Sequence, residues 1–153
     1  MKKFNSDEQF MKLALQEAQK SKEMNEVPVG AIIVINGEVI SKSHNKSISG
    51  NDPTSHAEIN ALRNAAKKVG NYRLTDASLY VTLEPCAMCY GAVVHARISR
   101  LIFGAYDSKT GVCGSSIKLH QQKCFNHIPE LTEGVLKEDC SLILKDFFKE
   151  RRN

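Results

Sequence analysis

Apolar positions along the chain switch between a helical period and a strand period several times. Residues 6–25 carry Phe10, Leu13, Ala14 and Ala18 as one helical stripe, opened by Ser6 or Asp7 as N-cap and stopped by Pro28. Val29 to Ile35 is an almost unbroken run rich in β-branched residues, which predicts a buried strand. Asn36-Gly37 is a hairpin turn, and Glu38 to Ser43 returns as a second strand. Polar residues 44–54 form a loop, and His56 to Val69 reads as a helix with Thr54 or Ser55 near its N-cap.

Ser78 to Leu83 is a third strand. Pro85 then suits the first turn of a helix running to about Ala96, where its missing N–H is no loss. Arg100 to Gly104 is a fourth strand, residues 105–129 are mixed, Ile128 to Val135 holds a short fifth strand, and Leu136 to Phe148 is an amphipathic helix. The strand–helix–strand units predict parallel neighbours joined right-handedly. Together these elements predict an α/β fold, a mixed sheet between helices, with Val81, Leu83 and Ile59 in its core.

At 153 residues the chain fits one domain spanning 1–153. It has 42% hydrophobic and 25% charged residues, ordinary for a soluble globular protein. No apolar run approaches the ~20 residues that a membrane span requires. Met1 to Glu8 turns acidic at once and leads into no apolar h-region, so it does not read as a signal peptide. Five cysteines without a disulfide pattern imply a reducing cytoplasm. The net charge of +4 is too mild to imply nucleic acid by itself. Lys149, Arg151 and Arg152 cluster at the end of the last helical pattern, suiting either a phosphate contact or a solvated helix C-terminus.

Chemistry concentrates in two clusters, His56-Ala57-Glu58 and Pro85-Cys86-Ala87-Met88-Cys89. One imidazole and two thiolates can share a zinc ion and leave a fourth position for water, the arrangement of a catalytic site. Both clusters fall at helix N-termini, where the partial positive charge favours thiolates. Positions 56 and 58 lie about 200° apart on a helix, so they converge only if the metal sits off the helix end. Glu58 could then take a proton from the water and pass it to a leaving amine. The alternatives are a redox pair, which leaves His56 and Glu58 unexplained, and a structural site. A structural site needs a fourth ligand, and nothing selects one among Cys113, Cys124, Cys140, His44, His95, His120 and His127. Glu58 is also an acid favourable in any first helical turn, and Asn45 is also an ordinary turn residue. The three remaining cysteines read as plain thiols and His95 as packed or hydrogen-bonded.

H-x-E…P-C-x-x-C is the signature of zinc nucleobase deaminases. Val27-Pro28-Val29-Gly30, Asp52 to Ile59, Leu79 to Cys89, and Phe103 to Gly111 together resemble the bacterial tRNA-specific adenosine deaminases, within the cytidine/deoxycytidylate deaminase superfamily. The resemblance runs from about residue 7 to 152. The metal motif is shared by cytidine, cytosine, guanine and riboflavin-pathway deaminases; Asp52–Ser55, Asn71-Tyr72-Arg73-Leu74 and Gly104–Gly111 narrow it, and the Phe147-Phe148 then Arg151-Arg152 ending is also similar.

The resemblance implies a cytidine-deaminase-like three-layer α/β/α sandwich with a five-stranded mixed sheet. It implies a homodimer whose sites are shared between subunits, and hydrolysis of wobble adenosine in a tRNA anticodon to inosine with release of ammonia. His56, Cys86 and Cys89 would hold Zn²⁺ and Glu58 would shuttle protons. Asn45 would hydrogen-bond the extruded purine, with Val29, Pro28, Leu83 and Ala57 about the base. Asp107 and Lys109 would touch neighbouring nucleotides, and Phe148, Arg151 and Arg152 the stem-loop. His44 stands where members often carry a bulkier aromatic against a flanking base. The competing readings are a guanine or cytosine deaminase and a non-catalytic zinc-stabilised RNA-binding module.

Overall fold

A computed structural model of the chain describes residues 6–152. The N-terminal Met1 to Asn5, part of the segment read above for a signal peptide, lies outside them. The described elements are α1 Ser6–Glu23, β1 Gly30–Ile35, β2 Glu38–His44, α2 Ala57–Val69, β3 Ala77–Leu83, α3 Ala87–His95, β4 Arg100–Ala105, a 3₁₀ turn Leu119–Gln121, β5 Glu130–Thr132 and α4 Lys137–Arg151. The strands form one sheet in the order β2-β1-β3-β4-β5. β1 is antiparallel to β2 and β3, whereas β3, β4 and β5 are mutually parallel. The mixed five-stranded α/β architecture expected from the sequence is the one observed.

Alternation along the strands shows why three layers form. Ala31, Ile33, Leu79, Val81, Leu101 and Phe103 pack on the side of α2 and α3. Ile32, Val34, Tyr80 and Ile102 pack on the opposite side with Met11, Ala14 and Cys140 of α1 and α4. Each central strand is buried on both faces, which accounts for the continuous apolar runs. The Asn36-Gly37 turn has φ of 50° and 78°, the pair of positive values that a tight hairpin needs. A bulge between Ile33 and Val34 adds Ile40 to the opposing strand.

Several local expectations are corrected. β2 and β3 are joined through α2 but are not neighbours, because the hairpin partner β1 lies between them. The N-cap of α2 is His56, since the Thr54 hydroxyl bonds Asp52 and the Ser55 hydroxyl bonds Asn60. Pro85 precedes the N-cap of α3, which is Cys86, so the proline ends the incoming segment and is not the first helical residue. His95 is exposed, and Ile59 is only half-buried. Among the described residues no helix is long and apolar enough to cross a membrane.

Asp7 lies inside α1. Its carboxylate accepts hydrogen bonds from both terminal nitrogens of Arg100 at 3.1 and 3.0 Å and from the Tyr80 hydroxyl at 2.7 Å. One carboxylate thus ties α1 to β3 and β4. The Arg100 guanidinium, with help from Tyr80, holds Asp7 below the usual aspartate range against the opposing effect of burial. A lowered folded-state pKa adds stability above the unfolded value near ~3.9 and loses it as pH falls through the folded value. Asp7→Asn should therefore cost about 1–2 kcal/mol near neutrality. The gap should close as the pH falls through the lowered folded value, below which wild type is protonated as well. Urea melts across that range check this; a gap independent of pH would show that the charge of Asp7 is not what stabilises.

Candidate metal centre and cleft

The site is assembled at the carboxyl ends of β2, β3 and β4, which run the same way and deliver their following segments to one end of the sheet. Cys86 follows β3 and caps α3, and His56 caps α2. Both N-cap residues have extended backbones, with ψ of 175° and 155°, and neither side chain caps its helix. Serine or aspartate at an N-cap turns back to the helix N–H groups. Here the imidazole and the thiol point off the two helix ends, where they meet the thiol of Cys89 one turn into α3. His56 Nδ1 lies 3.7 Å from the Cys86 sulfur and 3.5 Å from the Cys89 sulfur. A tetrahedral zinc with bonds of ~2.3 Å to sulfur and ~2.0–2.1 Å to nitrogen requires a nitrogen–sulfur separation of about 3.6 Å. The donor set therefore fits zinc in both kind and spacing. It is the only such cluster of three metal-ligating side chains among the described residues, and it lacks a fourth protein ligand.

Protons at the triad are shared. A hydrogen bond from Cys89, reinforced by His56, holds Cys86 down at about 4, as a thiolate. Cys89 keeps the proton it donates and shifts the opposite way. The Cys86 sulfur raises the pKa of His56. Glu58 is 4% exposed in the first turn of α2 and touches the Cys89 thiol. Burial pushes its carboxyl up to about 7, while the His56 charge pulls the other way. A carboxyl poised there gains and loses a proton readily near neutrality.

The triad opens on a cleft of about 280 Å³. Val29, Leu83, Asn45, Glu58, His56, Cys86 and Asp107 line it. Asn45 caps α2 from a distance: its Oδ1 accepts the Ala57 N–H at 2.7 Å. That bond fixes the amide orientation and leaves Nδ2 as the free donor end. Ala57 itself is fully buried in the core under the site. Pro28 is buried outside the lining and Val27 takes its place there. The carboxylate of Asp107 is occupied by the Lys109 and Thr110 N–H groups and the Thr110 hydroxyl, and Thr110, not the exposed Lys109, reaches the cleft.

His44 does not reach the cleft. It is 8% exposed, and its Nδ1 lies between the Ser21 hydroxyl and the Asn45 carbonyl at 3.0 and 3.2 Å, so it braces Asn45. Phe148, Arg151 and Arg152 lie at the exposed end of α4. Arg151 stacks on Phe147, 4.4 Å from the ring centre, and donates to the Asn25 carbonyl. Asn25 directly precedes Glu26, which lines the cleft.

The sequence reading missed two buried acids. Glu26, 2% exposed, accepts the Ile48 and Ser49 N–H groups at 3.1 and 2.6 Å and pins one wall of the cleft. Glu84, also 2% exposed, pins the other. Glu84 directly precedes Pro85-Cys86, a position that could have drawn attention to it; Glu26 carries no comparable signal.

The model of the cytidine and deoxycytidylate deaminase zinc-binding region matches residues 4–105. The chain belongs to this deaminase family. Its curated relatives include the tRNA-specific adenosine deaminases of Haemophilus influenzae, 51% identical over 95% of this chain and 85% of that protein, and of Bacillus subtilis, 47% identical over 95% and 91%. A solved structure from a study of A-to-I editing by tRNA:A34 deaminases at the wobble position superposes with a TM-score of 0.87. It is 44% identical and covers 89% of this chain and 99% of its own. The guanine deaminase structure from Bacillus subtilis is more distant, at 30% identity and a TM-score of 0.64 over 95% and 94%. The chain is thus an enzyme of the deaminase fold, and the cluster of His56, Cys86 and Cys89 lies within the family's zinc-binding region.

Purified protein should bind one zinc per chain and gain thermal stability from it. Cys86→Ala should abolish stoichiometric binding. Metal analysis with melting curves checks both, and equal zinc content in the variant would remove Cys86 from the site.

Proposed function

We propose that this enzyme hydrolyses adenosine at the wobble position of a tRNA anticodon to inosine and releases ammonia. The observation that carries the reading is 41–51% identity to curated tRNA-specific adenosine deaminases over at least 94% of the chain, joined to a His-Cys-Cys cluster beside a buried acid. His56, Cys86 and Cys89 would hold one Zn²⁺ per subunit. The ion, when bound, supplies the Lewis acidity that makes water a nucleophile near neutral pH.

This chain's own residues do the rest. The cleft takes one extruded base between Val29 and Leu83. Asn45 donates through Nδ2 to an acceptor nitrogen of the purine. Water adds across the C6–N1 double bond, its oxygen bonding C6 while Glu58 carries one of its protons to N1. The C6–amine bond then breaks as the new C6 hydroxyl becomes the carbonyl of inosine; Glu58 carries that hydroxyl's proton to the departing nitrogen, which leaves as ammonia. A loop base is already partly unstacked, so extrusion costs only a few kcal/mol.

The whole chain, 1–153, acts as one deaminase domain in the cytoplasm, where thiols stay reduced. Residues around the target meet the Asp107–Thr110 turn, and Phe148, Arg151 and Arg152 meet the stem-loop. The outer faces of α2 and α3, with Ile59, Leu62, Tyr72, Ala92 and Ala96 along one groove, form the homodimer interface.

Glu58→Gln keeps the shape of the side chain and removes its proton chemistry. Stem-loop deamination should fall by at least ~10²–10⁴-fold while zinc and RNA binding persist. Activity within a few-fold of wild type would exclude Glu58 from proton transfer.

Substrate choice is decided by inosine formation in an anticodon stem-loop bearing wobble adenosine, set beside free adenosine, guanine and cytidine. Only the adenosine stem-loop should turn over. Removing Arg151 and Arg152 together should weaken RNA binding and reduce its salt slope by about 0.7 per lost phosphate contact. Turnover of guanine with no inosine in the stem-loop would place the enzyme with the small-molecule deaminases.

A further inference from the structure

The wall of the cleft beyond β4 is a loop without regular secondary structure over residues 106–116, apart from one isolated bridge at Cys113. It supplies Asp107 and Thr110 to the cleft. One buried carboxylate gathers four of the hydrogen bonds that seat it. Glu84 Oε1 accepts the Asp107 N–H at 3.1 Å and the Ser115 hydroxyl, and Oε2 accepts the Cys113 and Ser115 N–H groups at 2.9 and 3.1 Å. No cation pairs with Glu84 among the described residues. A buried anion needs such a full set of donors, and all of these come from the one loop. The fit is close on the loop side too. A Cβ at Gly111 would strike the Glu84 carboxyl carbon and come within 2.6 Å of the Asp107 carbonyl. The backbone on either side is knitted in as well: Glu84 N–H donates to the Ala105 carbonyl at 2.8 Å, and Val112 N–H to the Pro85 carbonyl at 3.0 Å.

Glu84 therefore stands between two parts of the site. One residue on its carboxyl side separates it from the metal-ligating Cys86, and its side chain holds the wall that carries Asp107 and Thr110. Asp107 folds the tip of that wall internally, and Glu84 docks the folded tip against the metal segment. We propose that Glu84 is a positioning residue that sets the Asp107–Ser115 loop at a fixed distance from the metal centre, and so determines how tightly nucleotides beside the target base are held. The inference rests on the tRNA reading above. It separates two functions: the helix ends of α2 and α3 fix the triad, and Glu84 fixes the substrate wall.

The test is steady-state kinetics of the zinc-loaded enzyme on the adenosine stem-loop, with backbone amide exchange at Asp107, Cys113 and Ser115. In Glu84→Gln one oxygen becomes an NH₂ that faces donors. KM should rise about tenfold, kcat should stay within about threefold, zinc content should be unchanged, and the three amides should lose protection. Ser115→Ala removes one donor at an exposed position and cannot threaten the fold. It should move KM in the same direction, by about two- to threefold, as should Gly111→Ala. A fall in kcat at unchanged KM, or unchanged kinetics in Ser115→Ala and Gly111→Ala, would overturn the inference. So would full amide protection in Glu84→Gln. Wild-type enzyme with no stem-loop turnover would instead overturn the tRNA reading. The amide exchange, and KM for whichever base is turned over, then decide the role of Glu84.

Discussion

Two helix N-termini converge on one point, and the rest of this molecule serves that convergence. Each terminus carries partial positive charge and unsatisfied N–H groups. Both would ordinarily be satisfied by a capping side chain, yet the N-cap residues are His56 and Cys86, whose side chains leave the helices. The consequences are local and traceable. Asn45 reaches across from the end of β2 to take the Ala57 N–H. Its own position is braced by His44 and by Ser21 of α1. The helix ends can meet because β2 and β3, both antiparallel to β1 between them, run the same way, which puts the segments leading into α2 and α3 at the same end of the sheet.

This explains which features were legible in the sequence. His56, Cys86, Cys89 and Glu58 stand in short, fixed spacings, and the central strands β1, β3 and β4 are largely apolar because both their faces are covered. The order of strands was harder to read. The α2 crossover suggests that β2 and β3 are neighbours, but the hairpin gives β2 a partner already and β1 fills the gap. Propensity also misplaced the caps. Thr54 and Ser55 are better intrinsic N-caps than His56, yet Asp52 and Asn60 claim their hydroxyls. The resemblance placed His44 against a flanking base, but the last residue of β2 turns inward to Ser21, and it is Asn45, just past the strand, that lines the cleft.

Glu26 and Glu84 show what a linear reading lacks. Each is an acid whose partners are backbone N–H groups 22 to 31 residues away in sequence. Backbone donors have no signature in a sequence, so the partners cannot be named before the fold is known. Both acids do the same physical task. A loop wall lacks the hydrogen-bond ladder of a strand, and a carboxylate that accepts several N–H groups replaces it with fixed electrostatic attachment.

The division between helix-borne triad and loop-borne walls bears on how one fold serves several substrates. The sheet and helices of the Bacillus subtilis guanine deaminase superpose on this chain along nearly its whole length, so the scaffold does not choose the substrate. In this chain His56, Cys86, Cys89 and Glu58 lie at helix ends rooted in the core. The walls are fastened by the carboxylates of Glu26 and Glu84 together with a few backbone hydrogen bonds, and lie outside the strands beneath. Specificity in this architecture therefore resides where attachment is sparse. Residues that fasten a wall matter as much for substrate choice as residues that touch the base, because a displacement of about 1 Å in the wall alters every contact it makes.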